Sequence, residues 1–381
     1  MNPSRLGSDR RRLVAPGLIS ESRGFTFEPP PDPVRIDFSP QTLALALGVA
    51  LVVAAVVGTT AVRGTRVSDR AGQLAVRGGL GLVIPLVLVV ALALSDAPDT
   101  NVTQLFIESL RLATPVALGS MAGLWCERSG VVNIGIEGMM LASAGIGFTV
   151  YARLGDADGG AWLVAAIVVA VASGMAIAAL HALMTVTFRV DQIISGVAIN
   201  LLALGVTGFL RSQIIVPGGV SSGKSTEAIA LPLLSEIPIL GRQLFTAKPI
   251  FFTMFVIVAL TGFVLFRTPW GLRVRSCGEN PHAAATLGID VIRTRYIAVI
   301  CGGAIAGLAG AWFSLETQGG FEDAMTNGAG FIALAALIFG RWRPGLAFAG
   351  ALLFGFSRAL GARMQILGVE VANFSIPSEF W

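Results

Sequence analysis

Ionisable and amide side chains are sparse in this sequence, so a dense group of them stands out. The string Glu127-Arg128-Ser129-Gly130-Val131-Val132-Asn133-Ile134-Gly135-Ile136-Glu137-Gly138-Met139-Met140 lies between two apolar runs. Polar and charged groups at membrane depth are costly and mark functional sites by default. Asn133 and Glu137 flank Gly135 and offer an amide and a carboxylate, groups that hydrogen-bond the hydroxyls and ring edges of a small polar solute. Gly130, Gly135 and Gly138 free the backbone to leave the helix. Unwound backbone at that depth is tolerated only inside protein or along a wet cavity. The plainer alternatives are a surface loop with Glu127 and Arg128 paired in water, and Glu137 as a cap on the helix that follows it. Asn200 is a second, isolated amide in an apolar run, and His181 reads as a packed core histidine.

A different chemistry is suggested by Arg275-Ser276-Cys277-Gly278-Glu279-Asn280-Pro281-His282-Ala283-Ala284-Ala285-Thr286-Leu287-Gly288. Asn280-Pro281 starts a short alanine-rich helix and Gly288 ends it. Flanked by arginines, it suits a docking element for a soluble partner, or a solvated connector. Gly218-Gly219-Val220-Ser221-Ser222-Gly223-Lys224-Ser225 matches the phosphate-binding P-loop pattern, but it lacks the preceding buried strand and α/β context that the motif requires. It reads as a flexible loop that binds no nucleotide. Gly302, Gly303, Ala306, Gly307 and Gly310 place small residues four apart, a close-packing helix face.

The elements that must hold these groups are set by composition. Of 381 residues, 54% are hydrophobic and 13% charged, against about 25% charged in soluble domains. Mean hydropathy is +0.76, and lipid must cover what charge does not. Apolar runs fall at Leu43–Val62, Gly79–Leu94, Leu110–Cys126, Glu137–Tyr151, Ala161–Thr187, Ile193–Leu210, Pro249–Phe266, Tyr296–Leu315, Phe331–Phe339 and Gly345–Leu360. The expectation is an all-α polytopic membrane bundle of about ten segments, some broken or re-entrant. Residues 1–40 read as a flexible polar tail and 41–381 as the transmembrane domain. No secretory signal is evident. Three cysteines and two histidines lack ligand spacing, so no metal or cofactor is expected, and basic residues without interleaved aromatics argue against nucleic acid.

Loop charge orients the bundle. Arg267, Arg273, Arg275, Arg293 and Arg295 place the 267–295 loop in the cytoplasm. The segment after Leu315, with Glu316, Glu322 and Asp323, and the Arg211–Lys248 loop fall outside. The side of the N-terminus stays open, because the tail and the loop of Arg63, Arg66, Arg70 and Arg77 are both basic with one crossing between them.

The Glu127–Met140 string resembles a signature of bacterial nucleoside ABC importer permeases, within the branched-chain amino acid and simple-sugar permease superfamily. The resemblance extends over about Leu110–Phe380 and includes Asp191-Gln192-Ile193-Ile194-Ser195-Gly196-Val197-Ala198-Ile199-Asn200 and Gly330-Phe331-Ile332-Ala333-Leu334-Ala335-Ala336-Leu337-Ile338-Phe339-Gly340. It implies a type II ABC permease fold in the bacterial cytoplasmic membrane, alternating access, and no enzymatic activity in this chain. It implies a helix break at Gly130, Gly135 and Gly138 beside a solute path with Asn133, Glu137 and Asn200. It also implies that Gly278, Glu279, Asn280, Pro281, Ala283, Ala284 and Gly288 form the loop that meets a cytoplasmic ATP-binding cassette ATPase. His282 stands where that loop often has Glu. A paralogous second permease subunit, an extracytoplasmic solute-binding lipoprotein and membrane lipid complete the expected partners. A simple-sugar permease of the ribose type, an ion-coupled secondary transporter and a nucleotide-hydrolysing enzyme are the rival readings. The family commonly continues with one more apolar helix, and the expectation is that this sequence lacks it after Ile376-Pro377-Ser378.

Overall fold

The structure is a computed structural model and describes residues 23–27, 34–38, 99–154, 161–218, 225–230, 245–366, 370–371 and 374–375. The apolar runs at 43–62 and 79–94, most of the P-loop match and the C-terminal residues after 375 lie outside them. The chain divides into two compact units, one of residues 1–102 with 364–377 and one of 103–363 with 378–381.

In the first unit, strands β1 (Arg23–Phe27) and β2 (Val34–Phe38) pair antiparallel, and β1 pairs in parallel with β3 (Asp99–Asn101). Both β1 and β2 fall within the segment read as a tail.

The second unit is the helix bundle. Among the described residues its helices are α1 (Val102–Arg128), α2 (Ile136–Leu154), α3 (Ala161–Ala182), α4 (Gln192–Leu210), α5 (Pro249–Arg267), α6 (Pro269–Glu279), α7 (Pro281–Thr286), α8 (Val291–Ala311), α9 (Ala329–Phe339) and α10 (Pro344–Ile366). Six are long and apolar enough to cross a membrane, counting the wider π-helical turns that extend α3, α4 and α8. The expected all-α polytopic bundle is present, and each described apolar run lies in a helix. The α9 helix has 11 residues, about 16 Å at 1.5 Å per residue, or half the hydrocarbon thickness.

Helix starts follow local chemistry. Asp191 Oδ1 accepts from Ile193 and Ile194 amides, Thr268 Oγ1 from Gly271, Asn280 Oδ1 from Ala283 and Asp290 Oδ1 from Arg293. Each supplies an acceptor to amides that the helix itself leaves unpaired. Pro249, Pro269 and Pro281 occupy first turns, where no amide is needed.

The bundle centre is built from small residues. A Cβ on Gly174 would lie 2.8 Å from Gly307 Cα, and one on Gly307 would lie 2.7 Å from Ala170 O, so α3 and α8 touch backbone to backbone. Gly302 turns the same helix toward α1, where a Cβ would meet Ala122 O at 2.7 Å. Gly310 turns it toward Ser143 of α2, which is buried along most of its length. The close-packing face expected from Gly302 to Gly310 thus makes α8 the axis of the bundle.

Glu316 departs from expectation. The charge pattern placed it in an outer loop, whereas it is 2% exposed in the π-helical end of α8. Its carboxylate accepts the amides of Ile250 at 2.6 Å and Phe251 at 3.1 Å. It therefore caps α5 from another helix, a role that nothing in the local sequence announces.

Candidate functional site: a broken helix and its braces

Between α1 and α2 the chain leaves helical geometry from Ser129 to Gly135. Buried backbone groups need partners in the protein, and the carbonyls of Ser129, Gly130, Val132 and Ile134 take theirs from other helices. Ser129 O accepts from Arg295 Nε at 3.0 Å. Gly130 O accepts from Gln192 Nε2 at 3.4 Å, and the Val132 amide donates to Gln192 Oε1 at 2.7 Å. The Val131 amide reaches back to Cys126 O at 3.2 Å. Val132 O takes His181 Nε2 at 3.1 Å. Because a carbonyl only accepts, that nitrogen carries the proton, and Nδ1 then accepts from Ser195 Oγ at 3.0 Å. His181 is buried, and it fixes backbone rather than filling space.

The far end of the break is held by two amides. Asn133 Oδ1 accepts from the Gly135 amide at 3.0 Å, a local turn, while its amino group faces the sulfurs of Cys126 and Met139. Its exposure is 0%. Asn200 lies across from it on α4: Oδ1 accepts the Gly138 amide at 2.8 Å and Nδ2 donates to Ile134 O at 3.1 Å. One side chain so satisfies an orphan amide at the start of α2 and a carbonyl of the break. Close approach makes this possible, since a Cβ on Gly138 would lie 2.8 Å from both Asn200 Cα and Ile199 O, and one on Gly196 would lie 2.8 Å from the Gly135 amide.

Glu137 points to a third helix. Its Oε1 accepts from Thr326 Oγ1 at 2.7 Å and the Gly328 amide at 2.9 Å, and Oε2 accepts from the Gly330 amide at 2.6 Å. The carboxylate sits on the amides that open α9, where negative charge is favoured. Glu137 lies in the first turn of its own helix, where it was expected to act as a cap. Its carboxylate hydrogen-bonds the amides at the start of α9. Three amides or hydroxyls and the nearby Arg358 charge stand against the cost of burying it.

The last residues of α1 hold the other end of α9. Glu127 and Arg128 are not paired in water. Arg128 donates from Nε at 3.2 Å and Nη2 at 2.7 Å to Trp342 O, and the Trp342 indole donates to Glu127 Oε2. Arg341 and Trp342 both have positive φ, 51° and 54°, a strained turn for residues with side chains. No sequence signal marked Trp342.

The loop around Asn280 projects from the same end. Its helix α7 has Ala283, Ala285 and Thr286 exposed, and Leu287 just beyond it is 80% exposed. Gly288 closes it at φ +76°, with open space around a would-be Cβ. Beneath it, α6 packs on the break, where a Cβ on Gly278 would lie 3.0 Å from the Gly130 amide. Gly130 has φ +85°. Burial pushes the Cys277 thiol above its ordinary range, which keeps it neutral in this seam. The Phe266 ring is flanked by the guanidinium groups of Arg128 at 5.4 Å and Arg275 at 5.1 Å. At the opposite end of the bundle, a cavity of about 290 Å³ is lined by Glu108, Arg111, Lys248, Phe251, Trp312 and Glu316.

The three strings 127–140, 191–200 and 330–340 thus converge on one place. A family model described as "Branched-chain amino acid transport system / permease component" matches residues 105–374. The chain belongs to this permease family. The guanosine ABC transporter permease protein NupQ of Bacillus subtilis is 40% identical to this permease over 260 residues, covering 66% of this chain and 80% of the relative. The nucleoside ABC transporter permease protein NupC of Lactococcus lactis is 35% identical over 287 residues, 74% and 88% of the two chains. A putative glucose ABC transporter permease protein of Haloferax volcanii is 37% identical over 263 residues, 69% and 78%. No solved structure matches the chain. The permease is a multi-pass membrane protein, and the family's place in a multi-component transport system carries with it other subunits. Among the described residues no cluster of His, Cys, Asp and Glu is arranged to hold a metal ion.

Proposed function

We propose that this chain is the membrane-spanning permease subunit of an ATP-binding cassette importer for nucleosides, working by alternating access in the bacterial cytoplasmic membrane. The observation that carries the reading is the seam between α6 and the break: the exposed helix α7, suited to docking a soluble subunit, is one turn from contacts that reach an unwound intramembrane segment. A secondary transporter has no use for such a docking helix. Nucleosides are favoured over sugars by the names of the relatives at 40% and 35% identity, and the glucose-named relative at 37% makes a simple sugar the second reading.

In this reading Gly278, Glu279, Asn280, Pro281, Ala283, Ala284 and Gly288 form the loop that meets a cytoplasmic ATPase, with Ala284 turned inward and buried. Gly130 and Gly135 allow the break, while Gly138, expected in it, lies inside α2 and lets Asn200 approach. Asn133, Glu137 and Asn200 shape it beside the solute path, holding the backbone rather than standing free in a cavity. An extracytoplasmic binding lipoprotein delivers solute, and a paralogous permease completes the pore. Uptake of labelled guanosine, inosine, ribose and glucose into cells carrying the whole transporter, with and without this subunit, tests the proposal. Nucleoside uptake that requires this chain and a functional ATPase supports it. Sugar uptake alone would select the second reading, and uptake that follows an ion gradient without ATPase would overturn both.

A further inference from the structure

Two carbonyl oxygens on different elements are held by one side chain. Arg295, in the second turn of α8, donates Nε to Ser129 O at 3.0 Å and Nη2 to Cys277 O at 3.2 Å. Ser129 is the first residue of the break. Cys277 is in the last turn of α6, three residues before the Asn280 cap of α7. A guanidinium keeps its charge at any physiological pH and presents its donors in a rigid fork, so it fixes the two acceptors relative to each other.

The joint is tightly packed. A Cβ on Gly278 would lie 3.0 Å from the Gly130 amide, and one on Gly130 would lie 3.0 Å from Arg295 Nη2. The backbones of α6 and the break are therefore in contact, with Arg295 closing the third side. From there the path continues without a gap. Arg128 and Glu127 hold Trp342 at one end of α9, and Glu137 holds Gly328 and Gly330 at the other. Backbone contact leaves little free space at the seam between α6 and the break.

We propose that Arg295 is the positioning residue through which movement of the α6–α7 pair reaches the helix break. This rests on the reading of the chain as an ATPase-driven permease. Arg295 touches neither ATP nor solute; it sets how much of the motion at one end arrives at the other. Packed cores transmit strain because they have little free volume to lose, and the clamp removes the slack that remains.

The test uses the complete transporter in proteoliposomes, with ATP hydrolysis and nucleoside uptake read from the same preparation. Arg295→Gln is expected to lower the uptake achieved per ATP hydrolysed by about 5- to 150-fold, the range of measured couplings between sites, while the complex still assembles and hydrolyses ATP. Arg295→Lys, whose single ammonium can reach one carbonyl at a time, should fall between. Gly278→Ala, which wedges the same seam, should uncouple in the same sense. An assembled Arg295→Gln transporter with an unchanged ratio of uptake to hydrolysis overturns the proposal. So does equal loss of both activities in Arg295→Lys, which marks a role in folding alone. Absence of ATP-driven uptake in the wild-type complex is a different result: it removes the reading of an ATPase-driven importer, and this proposal with it.

Discussion

Glu137 and Gly330 are joined by a 2.6 Å hydrogen bond from amide to carboxylate, so the first turn of α2 caps the first turn of α9. Half-length helices are not stable in lipid unless their open ends are satisfied. The α9 helix solves this with a carboxylate that enters the sequence far upstream. The same carboxylate can bear on a solute only by moving α9, which ties its two expected roles together.

Replacing Glu137 separates charge from shape. Glu137→Gln keeps one carbonyl oxygen for Thr326 and Gly328 but turns an amino group toward the Gly330 amide, setting donor against donor. Leaving a buried donor unsatisfied costs about 1–3 kcal/mol. The thermal midpoint of the purified variant should drop and nucleoside uptake should fall. Wild-type uptake with an unchanged midpoint would remove Glu137 from both roles.

Asn200→Ala deletes two bonds with one substitution, leaving the Gly138 amide and the Ile134 carbonyl without partners. A loss of about 2–4 kcal/mol is expected from two stranded groups. Asn200→Asp retains the acceptor for Gly138 but sets a carboxylate oxygen against the Ile134 carbonyl, acceptor against acceptor, and should recover none of it. Denaturation of the two variants in detergent, compared side by side, checks this.

Glycines at the break should differ sharply from glycines on the bundle surface. A Cβ at position 138 would strike backbone atoms of α4 that have no room to yield, whereas positions 205 and 208 on α4 meet nothing within 4 Å. Gly138→Ala should destabilise by about 1–3 kcal/mol or more through overpacking, while Gly205→Ala should be neutral or gain up to about 1 kcal/mol of helix propensity. Fluorescence-detected size exclusion of the isolated permease reads both, and equal behaviour of the two would contradict the packing described for α2 and α4.

Gly288→Val forces a β-branched residue to φ +76° with no steric neighbour to blame. The strain is local, on the order of 1–2 kcal/mol, so membrane insertion should survive. In the reading of α7 as the ATPase-docking helix, hydrolysis should become uncoupled from uptake. Crosslinkers placed at Ala283 should capture the ATPase subunit in the wild type, and capture of nothing would refute that docking assignment.

A cysteine at Glu227, an exposed position, should react with an impermeant maleimide in intact cells whose outer barriers admit it. The native cysteines give little background, because Cys126 and Cys277 are buried and Cys301 is half-buried. Labelling only after lysis would invert the topology drawn from loop charge.

The break was legible in the sequence because it violates its surroundings: ionisable residues and glycines interrupt apolar runs, and apolar runs are easy to see. Helix starts at Asp191, Thr268, Asn280 and Asp290 were equally open to local reading, because a cap and its amides are neighbours in the chain. What periodicity and composition do not encode is which helix stands opposite. The pairing of Asn200 with Gly138, of Glu137 with α9 and of Arg128 with Trp342 depends on three-dimensional neighbours that no local pattern names. Glu316 shows the limit most clearly. A carboxylate near other acidic residues reads as a solvated loop, and only the arrival of the α5 amides makes its burial tolerable. The left-handed turn at Arg341 and Trp342 was invisible for the same reason, since no glycine or asparagine marks it.

The order in which the chain is made gives the break a further property. His181, Gln192, Asn200 and Arg295, which satisfy its backbone, all follow it in the sequence. Until α3, α4 and α8 have been made, the carbonyls of Ser129, Gly130, Val132 and Ile134 lack the side chains that satisfy them, so the break is closed only when later parts of the chain have joined it.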